Sequence, residues 1–277
     1  MSLLFQAELL KLSARPAARL ALVALVLAGA LGPLAQFLVQ NAAITMNGEP
    51  LANQLSLSAP DALAWTLRIR GFYVAQVTLL LLASQSFAGE LGARTLRDEL
   101  VRPVRRSAVL AAKLGALGTF SLASLAGAVL VGALVGLVLL PAGGGASWGA
   151  VLSGAATTWL CELAFATFAL AVSVLTGSVA GGLAAAFLFL LAERLVAFAL
   201  TVAGWVAMAA PPQLVSIPPA VEWVLAASPF LPTSGWTAAD AIVRGEPVVW
   251  QSWVALAGWT ALSGALADRV FARSDVP

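Results

Sequence analysis

Apolar residues fill six long runs of the chain, near 17–39, 71–89, 114–140, 150–176, 179–208 and 248–267. Each approaches or exceeds the roughly 20 residues that cross a hydrocarbon layer as a helix. Helix is the geometry expected within them, because lipid offers backbone N–H and C=O groups no other partners. No polar stretch is long enough to fold as a separate soluble unit. The pattern therefore predicts one all-α membrane domain over 1–277, with six spans and longer outer connections at 41–70 and 209–247. The second connection contains "PPAVEWVLAASPF", apolar enough to sit in the interface or dip into the membrane, with Trp223 and Trp236 suited as headgroup-level anchors.

Ahead of the first span, residues 1–15 carry Glu8, Lys11 and Arg15 at helical spacing on one face. Leu3, Phe5, Leu9, Leu10 and Leu12 cover much of the rest. That is the pattern of a helix lying in the membrane interface, or of an extension of the first span. Ala28-Gly29-Ala30 resembles a signal-peptidase site, but the apolar run continues to Val39, which argues against cleavage.

Composition agrees with the pattern. The chain is 61% hydrophobic and 10% charged, against about 45–50% and about 25% in soluble domains. A formal charge of +2 is too small to suggest a nucleic-acid partner, and its distribution is more informative than its sum. With the N-terminus inside, the cytoplasmic side receives Lys11, Arg15, Arg19, Arg94, Arg97, Arg102, Arg105, Arg106, Lys113, Arg269 and Arg273. The outer side receives Arg68, Arg70 and Arg244, and Arg194 stays in the membrane. Eleven cations against three predict that both termini are cytoplasmic.

Six of the fifteen basic residues lie in 94–113, "RTLRDELVRPVRRSAVLAAK". Thr95 to Asp98 fits a helix-start capping pattern, and Leu96, Leu100 and Val104 align at four-residue spacing. Pro103 breaks the pattern near Arg102, and a new helix is expected from about Ser107. Charge alone is equally compatible with an ordinary positive-inside anchor.

The order of features from Phe87, "FAGELGARTLRDELVRPVRRSAVLAAKLGAL", resembles the segment after the second span of ABC-2-type permeases, the membrane subunits of ABC exporters. The matching positions are Glu90, Gly92, Thr95, Leu96, Pro103, Arg105, Arg106, Ser107 and Lys113, although Ala93 and Arg94 separate Gly92 from Thr95. "AELLKL" in the N-terminal helix, six spans and "SPFLP" at 228–232 extend the likeness. The resemblance implies export driven by a separate ATPase, which docks on 90–106 and holds the ATP and magnesium, and an assembly of two permeases. It assigns docking to Glu90, Thr95, Leu96, Asp98, Glu99, Leu100, Arg102, Pro103, Arg105 and Arg106.

The chain itself offers little for catalysis: serine-lysine chemistry is open in principle, but neither Lys11 nor Lys113 lies near a convincing exposed serine. There is no G-x-x-x-x-G-K-[ST] loop for ATP phosphates. Without histidine, Ser-His, Cys-His and His-metal systems are excluded. Cys161 reads as a small packing residue. Within the spans, Glu162, Glu193 and Arg194 stand where charge is costly and faces a protein interior or wet cavity. Arg194 is expected to pair with Glu162 at similar depth, as a structural ion pair or as part of a substrate or proton path. Gly127, Gly132 and Gly136 favor close packing within the chain over dimerization. Two other classes use the same residues: a stand-alone proton-coupled carrier or channel working through the intramembrane charges, and a membrane scaffold holding anionic lipid with its basic stretch.

Overall fold

The computed structural model describes residues 2–42, 45–46, 49–50, 58–70, 74–93, 95–96, 104–140, 147–209, 228–232, 234–246 and 250–273. Among these the chain is helical, apart from a two-residue antiparallel pairing of Thr45–Met46 with Glu49–Pro50. The helices are α1 (Ser2–Ala14), α2 (Pro16–Leu27), α3 (Leu31–Asn41), α4 (Ala59–Ile69), α5 (Ala75–Ser84), α6 (Arg106–Leu139), α7 (Trp148–Thr176), α8 (Val179–Ala209), α9 (Ser234–Val243) and α10 (Trp250–Arg273). A π-helical turn, Gln85–Gly89, runs from α5 into the single turn Glu90–Gly92.

Four helical stretches are long and apolar enough to cross a membrane: Pro16–Asn41, Arg106–Leu139, Trp148–Thr176 and Val179–Ala199. They correspond to the first, third, fourth and fifth expected spans. The sixth falls in the 24-residue α10. The second is longer than its apolar run. At one end Gly136 of α6 lies against Ala59, and at the other Glu90 reaches Lys113 near the start of α6. The described parts of this stretch, 59–70 and 74–92, therefore run antiparallel to α6, and α4 occupies what the pattern assigned to the outer connection 41–70.

Pro16 separates α1 from α2. A proline disfavors helical geometry in the residue before it, and Arg15 is extended at φ −71°, ψ 122°. The N-terminal segment is thus a helix of its own and not an extension of the first span. Pro33 shapes the next break. It can neither donate to the carbonyl four residues back nor fit against it, and the chain tightens into a 3-10 turn at Ala28–Ala30. The Gly29 carbonyl accepts instead from the Thr66 hydroxyl of α4 at 2.9 Å.

The glycines of α6 pack within the chain, as the spacing suggested. A side chain at Gly127 would meet Val26 at 2.6 Å, and one at Gly132 would meet Leu63 at 2.6 Å and the Gly29 carbonyl at 2.7 Å. The Ala28-Gly29-Ala30 triplet that resembles a cleavage site packs against α6, where Gly29 has no room for a Cβ beside Ala128.

Both described chain ends meet the start of α6. Glu8 of α1 binds Lys113 at 2.9 Å, and Arg106 donates to the carbonyl of Phe271 in α10 at 2.7 Å. Residues 228–243 descend beside α7. The Cys161 thiol, halfway along that helix, donates to the Pro232 carbonyl at 3.0 Å, and α9 returns to Gly154, whose added Cβ would meet Val243 at 2.7 Å. Trp236 is consequently not a headgroup anchor. It is 8% exposed, with its ring centroid 5.2 Å from that of Phe165. Trp223 lies outside the described residues.

Candidate functional site

Two buried charge clusters dominate the interior. The first joins α1, the turn after α5 and the start of α6. Lys113, fully buried, donates to Glu8 Oε2 at 2.9 Å and to Glu90 Oε2 at 2.5 Å. Lys11 adds a bond to Glu8 Oε1 at 2.8 Å and lies 3.6 Å from Glu90, and Arg15 reaches Glu90 Oε1 at 3.4 Å. Glu8, Lys11 and Arg15 meet these partners because they share one helical face, and that face turns toward α6. The π-turn carries an extra residue in one helical turn and sits directly before Glu90, so it sets the direction in which Glu90 projects. Among the described residues, three cations meet two carboxylates in this cluster. Burial alone raises the Glu8 carboxyl, but Lys113 and Lys11 outweigh it and hold Glu8 below the ordinary carboxylate range. A cavity of about 660 Å³ opens beside the cluster, lined by Lys11, Arg15, Gln85, Glu90 and Thr95 among others.

The second cluster lies midway along α6 and α7. Arg70 Nε donates to Glu162 Oε1 at 2.6 Å, and its Nη2 to Glu162 Oε2 at 3.1 Å and to the Ser124 hydroxyl at 2.7 Å. The Ser121 hydroxyl donates to the same Glu162 oxygen. Arg70 is 3% exposed and Glu162 0%. This corrects the expected pairing: Glu162 binds Arg70, which the pattern placed on the outer side, and not Arg194. The reason is the α4 register, which carries Arg70 inward along α6. Arg194 instead stacks over the Trp236 ring at 5.1 Å, beside buried Glu193 on α8. The three intramembrane charges singled out by sequence thus divide between two places.

The docking segment is only partly described. Asp98, Glu99, Leu100, Arg102 and Pro103 lie outside the described residues. Glu90 points inward to Lys113. Thr95 is exposed, and its hydroxyl donates to the Glu90 carbonyl at 3.3 Å, a role different from the expected cap. Leu96 is 0% exposed and belongs to the main core, so it is an internal anchor of the segment and not a contact surface. Arg105 is exposed at the start of α6, which begins within one residue of its expected place. Arg106 binds the Phe271 and Ala272 carbonyls at 2.7 and 3.3 Å, with its guanidinium 5.5 Å from the Phe271 ring centroid.

Sequence reasoning missed Arg70 and the convergence on Lys113. Lys113, one of two lysines and placed well inside a helical run, was the available signal for the cluster. Arg70 had none short of its partner.

The search of curated proteins found none similar to the chain. The family model described as "ABC-2 family transporter protein" matches residues 17–276, nearly the whole length, and so takes in both clusters apart from Glu8, Lys11 and Arg15. The chain therefore belongs to the ABC-2 transporter family and is the membrane permease component of an ABC transporter.

Proposed function

We propose that two copies of this chain, or this chain and a similar one, assemble with two ATPase subunits and export a hydrophobic or amphipathic substrate across a bacterial or archaeal cytoplasmic membrane. The ATPases bind ATP and magnesium, and this chain supplies neither ligands nor catalytic groups for them. Six crossings put both termini and the Lys113 cluster on the cytoplasmic side. The charge bias supports this orientation, and Arg70, buried against Glu162, does not count against it.

The observation that carries the reading is the Lys113 bridge. It ties α1, the turn that carries Glu90 and the start of α6 into one block beside Thr95, within the segment expected to meet the ATPase. An ATPase pressing on that segment moves three elements together, which is what conversion of nucleotide-dependent contact into a change of the spans requires. The cavity at its base, with an excess of positive charge, suits an acidic group of the ATPase. The apolar interior, interrupted midway by the Arg70–Glu162 network, suits a substrate that is itself largely apolar, and 228–243 forms an outer lid.

Co-purification from native membranes in mild detergent tests this. The parent chain is expected to retain an ATPase subunit, and Asp98→Arg with Glu99→Arg to lose it while Cys161 stays as protected from thiol reagents as in the parent. A parent that retains no ATPase would overturn the proposal and move the working residues to the Arg70–Glu162 network.

A further inference from the structure

An apolar groove of about 150 Å³ opens on the flank of α1 away from the Lys113 cluster. Leu9, Leu12 and Leu22 form its walls, and Phe120 and Ala123 of α6 lie along it. A dry apolar cavity of about this size takes a benzene-sized hydrocarbon, so it accommodates a short stretch of acyl chain.

Arg19 stands at the rim. Its Nε donates to the Ser13 carbonyl at 2.6 Å, which fixes the plane of the guanidinium. The side chain is exposed and has no carboxylate within ion-pair distance among the described residues. Its neighbors differ: Lys11 and Arg15 are engaged by Glu8 and Glu90. A planar fork of free N–H donors suits phosphate oxygens. Basic pockets between helices on the cytoplasmic side of a membrane hold anionic headgroups on the same grounds.

We infer that Arg19 and the groove between α1, α2 and α6 form a binding site for one anionic phospholipid, its phosphate on the guanidinium and an acyl chain against Phe120 and Ala123. The lipid fills the gap on one flank of α1 while Lys113 holds the other, so it helps set the position of α1 on α6. This rests on the chain's membrane setting and not on the ATPase reading.

The test uses purified protein in mixed micelles containing equal amounts of dioleoylphosphatidylglycerol and dioleoylphosphatidylcholine, with bound lipid counted by native mass spectrometry. Sharing the same acyl chains, the two report headgroup choice alone. The parent is expected to retain the anionic lipid about fivefold over the zwitterionic one, the ratio one cation near a lipid surface provides. Arg19→Gln keeps a donor for the Ser13 carbonyl and is expected to abolish the preference. Ala123 is exposed, so Ala123→Phe fills the groove without crowding the core and is expected to lower retention of both lipids. No headgroup preference in the parent, or a preference that survives Arg19→Gln, would overturn the site. So would unchanged retention in Ala123→Phe, which would mean annular lipid only.

Discussion

Removing one member of the Arg70–Glu162 pair leaves an uncompensated charge in a site closed off from the surface. Breaking a buried pair this way costs about 3–5 kcal/mol in soluble proteins. Arg70 at 3% exposure and Glu162 at 0%, joined by two N–H···O contacts at 2.6 and 3.1 Å, meet the conditions for that range. At about 2–4 °C per kcal/mol for a chain of this size, Glu162→Gln and Arg70→Met should each lower the unfolding midpoint by roughly 6–20 °C. Arg70→Met with Glu162→Leu removes both charges and should recover at least half of the loss, because apolar replacement of a whole buried pair is often neutral. Cys161 is the single cysteine and is fully buried, so a thiol-reactive fluorophore reports global unfolding in detergent without an added label. Arg194→Met is the control: it leaves both Arg70–Glu162 contacts in place, so adding Glu162→Gln to it should cost as much as Glu162→Gln costs in the parent. A Glu162→Gln variant as stable as the parent, or an Arg194→Met background in which Glu162→Gln costs nothing, would refute the pairing.

Three further outcomes follow from the geometry. Glu8 has a depressed folded-state pKa, so its contribution is complete above its ordinary value of 4.5 and is lost as pH falls below it; the unfolding midpoint should drop from pH 5 to pH 3.5, and Lys113→Met should flatten that dependence. Gly132→Val places a side chain into Leu63 and the Gly29 carbonyl and should cost about 1–3 kcal/mol, whereas Gly258→Ala, with nothing within 4 Å, should leave the same thermal assay unchanged. Gly235→Ala puts a Cβ 2.9 Å from both Cys161 and Leu256; it should lift the 228–243 segment and raise the rate of Cys161 labeling below the unfolding midpoint severalfold, read as a labeling time course.

The long spans were legible because their composition alone dictates them: a run such as 114–140 has no alternative to crossing a membrane as a helix. What hydropathy could not see was α4. Asp61, Arg68 and Arg70 interrupt its apolar character, yet each charge is answered: Asp61 by Ser58 at its own helix start, Arg68 by Asp240 at 2.5 Å, and Arg70 by Glu162. Those last partners lie 172 and 92 residues away, a separation at which local pattern carries no information. Trp236 misled for a related reason. Amphipathic rings are enriched at headgroup level, but Gly235 lets its own backbone approach α7 closely enough to bury the ring. In the Lys113 cluster, the helical spacing of Glu8, Lys11 and Arg15 was readable, and only the direction of that face was not. The intramembrane location of Glu162 was readable too, and its partner was not.

The stretch 59–92 is held at two places: Arg70 ties it to α7 and α6, and Glu90, twenty residues later in sequence, ties it to α6 and α1. Movement at the docking segment can reach the spans by two routes. The π-turn at Gln85–Gly89 can wind into α-helix, which rotates Glu90 by about one residue's 100° and withdraws it from Lys113. Alternatively the whole block of α1, Glu90 and the start of α6 can pivot about the midway network. The first route strands a fully buried lysine with one carboxylate in place of two, at a cost of several kcal/mol. The second keeps every ion contact and bends only the stretch between the pinned points. If an ATPase docks on 90–106 as proposed, the pivot is the favored route, and α1 (Ser2–Ala14), which precedes the matched residues 17–276, moves with it.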